Sequence, residues 1–207
     1  MKKLTSMIVA GTFLLMSTAN SFSQNTATTD AFSKSYQSET KSDFKGAIES
    51  LKPVYDKSSY EINLRMGWLY YEAGSYKDSQ NYYQLAIDLK PGSIEARFGY
   101  AYPAYALGNM NEVIAQYNKI LTVDPQNTTA NYRMGMISYD KKDYQVAYKY
   151  FDKVVTLYPF SYDALIMYAW ASYRVGKKDD ATVLFNRVLC LSPGDKSALE
   201  GLSMVKK

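Results

Sequence analysis

Four short stretches carry the residues best equipped to recognise another molecule. Leu64, Trp68 and Tyr71 stand at i, i+4 and i+7, as do Phe98, Tyr102 and Tyr105, then Tyr132, Met136 and Tyr139, then Ile166, Trp170 and Tyr173. On a helix this spacing lays three side chains along one stripe. The chemistry it offers is non-covalent: apolar area, π-faces and a few hydroxyl or indole donors. Phe32 and Tyr36 extend the set upstream; charge is sparse, with Glu61, Glu95 and Asp163 flanking and Arg65 and Arg133 nearby. Exposed aromatic and Met-rich patches mark binding sites, and a nearly uncharged one should bind with little dependence on salt. Covalent chemistry has less to work with. The chain has no histidine, which removes imidazole bases, the usual nucleophile pairs and most zinc sites. No Cys-x-x-Cys, Gly-rich phosphate loop or calcium loop occurs, and Asp179-Asp180 reads as a solvated helix start. These residues point to a binding protein that is not an enzyme and needs no metal and no cofactor.

The stripes belong to a larger order. Gly67, Ala101, Gly135 and Ala169 recur every 34 residues, and so do Tyr71, Tyr105, Tyr139 and Tyr173. In the same register run Tyr83, Tyr117, Phe151 and Phe185, and Pro91, Pro125, Pro159 and Pro193. A fixed period of this length means a stack of like units, each burying its apolar face against its neighbours. The small series lies where two helices must approach closely, the aromatic series supplies buried bulk, and the prolines end each second helix. Periodicity and breakers place helices at 60–73 and 76–90, 93–107 and 110–123, 127–141 and 144–157, and 161–175 and 178–191. An upstream hairpin near 31–58 is degenerate, since Ala47 to Ser79 spans 32 residues and Pro53 interrupts it. Residues 195–205 fit a capping helix. Pro103 falls inside a helical pattern and should bend it without breaking the fold, with Gly99 making room for the proline ring.

This pattern of glycine, paired tyrosines, Gly-x-Tyr, small residue, aromatic and terminal proline resembles the tetratricopeptide repeat family. The resemblance covers nearly everything after the first thirty residues, with repeats near 31–58, 60–91, 93–125, 127–159 and 161–193. It implies an all-α, right-handed superhelical solenoid of about five helix-turn-helix repeats over 31–207. It also implies that the stripes line an inner groove where a protein or peptide partner is held. Members that clamp a peptide's C-terminal carboxylate use Lys, Asn and Arg at these places. Here they are Phe, Leu, Trp, Tyr and Met, so a carboxylate clamp is not expected. Two alternatives stay open: an aromatic ladder that stacks sugar rings, and burial of the stripe in a homo-oligomer. Packing between neighbouring first helices also accounts for many of these rings, the Tyr71 series above all. Trp68, Tyr102 and Trp170 carry more of the functional reading.

The ends bear on location. Met1-Lys2-Lys3, an apolar run from Leu4 to Met16 and small residues to Ser23 match a secretory leader, cut after Ser21 or Ser23. The run is too short to span a bilayer, and no cysteine follows it for a lipid anchor. The mature chain is therefore expected to be periplasmic or secreted and not membrane-spanning, with residues 24–30 a frayed lead-in. Loss of residues 1–23 leaves 22 basic and 20 acidic residues, a balance that gives no case for nucleic acid. Cys190, the single cysteine, is expected to be a buried small hydrophobe. Asn127-Thr128-Thr129 matches a glycosylation acceptor, a short and weak pattern.

Overall fold

The structure, a computed structural model, describes residues 26–206. Among these residues the regular structure is helical, with eleven α-helices and one short 3-10 turn. They form two compact units that meet in sequence at Gly108 and Asn109, between the two helices of the third repeat. The expected leader, residues 1–23, lies outside the described residues.

The first unit runs α1 (26–39), α2 (Phe44–Leu51), a 3-10 turn (Lys52–Val54), α3 (Tyr60–Glu72), α4 (Tyr76–Leu89) and α5 (Ile94–Ala106). The second runs α6 (Met110–Val123), α7 (Thr128–Asp140), α8 (Tyr144–Leu157), α9 (Tyr162–Arg174), α10 (Lys178–Leu191) and α11 (Lys196–Val205). From α3 onward these bounds match the expected ones to within a residue at each end. Residues 26–30, expected as a frayed lead-in, are helical as part of α1, which packs through Ala31 against Ala47, Ile48, Leu51 and Ile62.

Caps explain where several helices begin. The Ser59 and Ser93 hydroxyls accept from the backbone N–H groups of Ile62 (3.3 Å) and Ala96 (3.0 Å). The Asn127 amide oxygen accepts from Ala130 (3.0 Å) and the Asp195 carboxylate from Ala198 (2.8 Å). Each satisfies a backbone donor that the first turn cannot. Asn127 also donates to Asp124 at 3.2 Å, so both ends of its amide are engaged in the turn. The first helices of the second, third and fifth repeats end at Gly74, Gly108 and Gly176, with φ of 75°, 77° and 82°. In the fourth repeat Lys142 takes φ 65° at the same place, a conformation that costs a side-chain-bearing residue free energy.

Packing rests on rings set against glycines. A Cβ at Gly67 would lie 2.9 Å from the Tyr83 ring, and one at Gly135 would lie 2.6 Å from Phe151. Gly99 on α5 faces the same Tyr83 ring, and Gly201 on α11 faces Phe185, both closer than a real Cβ could come. Gly99 therefore makes room for Tyr83, which is a stronger demand than the expected one from the Pro103 ring. The helix α5 runs unbroken through Pro103, whose carbonyl accepts from Leu107 at 3.0 Å. Cys190 is a second correction. The buried stripe of α10 is Ala181, Leu184, Phe185 and Val188; two residues further on, Cys190 has turned to the exposed face.

Candidate ligand groove

In the first unit α1, α3, α4 and α5 enclose an open cavity of about 530 Å³. Its walls are Phe32 and Tyr36 from α1, Tyr60, Leu64 and Trp68 from α3, and Tyr83 from α4. Glu61, Arg65 and Glu95 supply its charge. Two of the predicted stripe residues, Leu64 and Trp68, thus meet the upstream aromatics and the flanking acids at one site. The aromatic row continues from Trp68 to Tyr71, with centroids 6.1 Å apart, and from Tyr71 to Tyr102 at 5.9 Å. Trp68 is 37% exposed, Tyr102 43% and Tyr105 67%, while Phe98 is half-buried.

The site is more charged than the stripe alone suggested. Arg65 is buried and pairs with Glu39 of α1 at 2.7 Å; its Nε and Nη2 donate to the Ser35 hydroxyl at 3.3 and 3.2 Å. Its guanidinium stands 3.9 Å from the centre of the Tyr36 ring. The Trp68 indole N–H donates to the other Glu39 oxygen at 2.6 Å. Burial alone would push the Glu39 carboxyl up, but the bonds from Trp68 and Arg65 outweigh it and hold it below its ordinary range. Burial pushes the Tyr83 hydroxyl up, and the nearby Glu95 charge adds to that. Lys90 lies 3.8 Å from the centre of the Tyr60 ring and 3.2 Å from Glu61. Glu39 and Ser35 escaped the sequence reading because the first repeat is out of register; the only signal was their place one turn beyond and beside Tyr36.

In the second unit the stripe residues behave differently. Ile166 is buried, and Tyr132, Met136, Tyr139, Trp170 and Tyr173 are half-buried against the core. Trp170 stands edge-on to Phe185 at 5.1 Å, and its N–H donates to Ser197 of α11 at 2.8 Å. The two tryptophans therefore differ in their surroundings: α11 packs on Trp170. A second cavity, about 610 Å³, is lined by Thr128, Thr129, Tyr132 and Arg133, by Leu157 to Ser161, and by Asp163. It sits in the register of the first: Tyr60, Glu61, Leu64, Arg65 and Glu95 become Thr128, Thr129, Tyr132, Arg133 and Asp163, two periods on. Phe160 beside it is 80% exposed. The sequence reading left Tyr158 to Phe160 between two helices, with Pro159 only as a helix stop, and so missed it.

No described helix is long and apolar enough to cross a membrane, and no cluster of three or more metal-ligating side chains occurs among the described residues. Comparison with known proteins gives the class. Tetratricopeptide-repeat family models match residues 64–128 and 128–161. The fold also superposes on solved structures: MamA, at 22% identity and a TM-score of 0.68 over 80% of this chain and 91% of that one; and a tetratricopeptide repeat protein from Parabacteroides merdae, at 23% and 0.72 over 87% and 72%. YrrB, described as a tetratricopeptide protein with an unusual peptide-binding site, aligns at 13% and 0.67 over 88% and 95%. The uncharacterized protein ycf37 of Pyropia yezoensis is 29% identical over 76 residues, which span 37% of this chain and 43% of that protein. Residues 64–161 are thus matched by tetratricopeptide repeats, and the described residues have the all-α fold of a tetratricopeptide solenoid.

Proposed function

We propose that this chain is a non-enzymatic interaction scaffold that holds a peptide segment of a partner protein against the aromatic stripe of its first helices. We further propose that it works in a bacterial envelope after loss of residues 1–23. The observation that carries the reading is the aromatic cavity of the first unit, with Trp68 and Tyr102 left exposed beside it. Isolated exposed rings are ordinary, but a concave site walled by six apolar or aromatic side chains with a few fixed charges is what ligand sites look like. YrrB, with the same fold and a peptide-binding site in its description, supports a peptide as the occupant. The basic start and apolar run of residues 1–16 support export. Capture from envelope extract tests both parts. The wild-type chain should retain a partner that the Trp68→Ala, Tyr102→Ala double variant releases at unchanged helicity, and the recovered chain should begin at Phe22 or Gln24. Equal retention by both baits would move the site off the stripe, and an intact Met1 on recovered chain would overturn the export.

A further inference from the structure

We propose that the cavity of the first unit selects a lysine or arginine side chain of the bound peptide. This rests on the reading that the groove takes a peptide, and it names the chemistry of the segment held there. Three observations converge. The walls include the aromatic rings of Phe32, Tyr36, Tyr60 and Trp68, and a ring's quadrupole attracts a cation placed over its face. The rim is acidic. Glu61 is 68% exposed at its side chain, and Glu95, also exposed, makes no ion pair among the described residues. Finally, the protein's own cations already use these surfaces. The Arg65 guanidinium lies over Tyr36, and the Lys90 ammonium lies over Tyr60 while pairing with Glu61.

Charge decides the sign of the preference. Arg65 is cancelled by Glu39, and Lys90 by Glu61, which leaves Glu95 as net negative charge at the mouth. Lys90 and Glu61 are both largely exposed, so their pair is weak and a peptide cation can take the place of the Lys90 ammonium. An anionic side chain would face Glu95 and Glu61 across an aromatic wall. The register-matched cavity of the second unit lacks this design. Thr128 replaces Tyr60, Thr129 replaces Glu61, Tyr158 replaces Lys90, and Arg133 offsets Asp163. Cation selection therefore belongs to the first unit alone, and it adds a salt dependence that the aromatic stripe by itself would not have.

The test is an array of nine-residue peptides with randomised flanks and a fixed centre: lysine, arginine, norleucine or glutamate. The full chain is used with Trp170→Phe, so that Trp68 is the only indole. Lysine- and arginine-centred peptides should be retained about tenfold better than norleucine-centred ones at low salt, glutamate-centred ones least of all. Trp68 emission should shift to the blue with them. Raising salt, or introducing Glu61→Gln with Glu95→Gln, should shrink the lysine advantage to near parity while norleucine binding stays. Equal retention of lysine and norleucine peptides, with Trp68 still protected, would overturn cation selection and leave the peptide groove standing. Retention that leaves Trp68 unprotected, or no retention of any peptide, would overturn both.

Discussion

Phe151→Ala measures how much the ring-on-glycine packing contributes. Phe151 is fully buried, its ring set against Gly135 and 5.9 Å from the Tyr132 ring. Losing that burial costs about 1.5–3 kcal/mol of transfer free energy. The cavity left behind adds to it, because a ring lying on glycine has no neighbouring side chain able to swing in. The total should be about 3–5 kcal/mol, as for other large-to-small core changes. Tyr102→Ala is the control: its ring is 43% exposed, so the loss should be about 1 kcal/mol or less. Urea denaturation followed by helical circular dichroism gives both values, provided the slope stays constant. Equal losses for the two variants, or a Phe151→Ala loss below about 1.5 kcal/mol, would refute the assignment of faces in the hairpin.

Three other outcomes follow from single residues. Lys142→Gly should raise stability by about 0.5–1 kcal/mol, because Lys142 sits at φ 65° where three other repeats use glycine; a loss on denaturation would mean the lysine side chain has a role there. Because the folded carboxyl of Glu39 titrates below its ordinary value, its contribution is present at neutral pH and is lost as pH falls through that lowered pKa. Acid titration of Trp68 emission in Trp170→Phe protein should show this transition, and Glu39→Gln should abolish it. Cys190 is exposed and should react with a thiol reagent in the folded protein at a rate close to that of a free thiol; full protection until unfolding would contradict its placement.

The fold was legible because its rules are local and repeated. Prolines, turn glycines and the aromatic series fix helix ends and buried faces at every period, so the bounds of α3 to α11 agree with expectation. Cys190 was misread because it neighbours a buried stripe in sequence without lying on it. Gly99 was tied to Pro103, its neighbour along the helix, when the ring it admits, Tyr83, comes from α4. The candidate site was legible as a row of aromatics and no further. Which members stay exposed depends on what stacks next to them. The helix α11 half-buries Trp170, whereas Trp68 keeps one face open and binds Glu39. The Glu39–Arg65 pair could not be read because it joins α3 to a helix with no register of its own.

The central claim is that the aromatic face of the first helices is where a partner lies. Acrylamide quenching of Trp68, in full-length Trp170→Phe protein with and without a captured partner, tests it most directly. The free protein should be readily quenched, as an indole 37% exposed should be. Partner binding should cut quenching several-fold and shift emission to the blue, and Tyr102→Ala should weaken the affinity by about 1–2 kcal/mol or more. A partner that binds with full affinity while Trp68 quenching and emission stay unchanged would contradict the account.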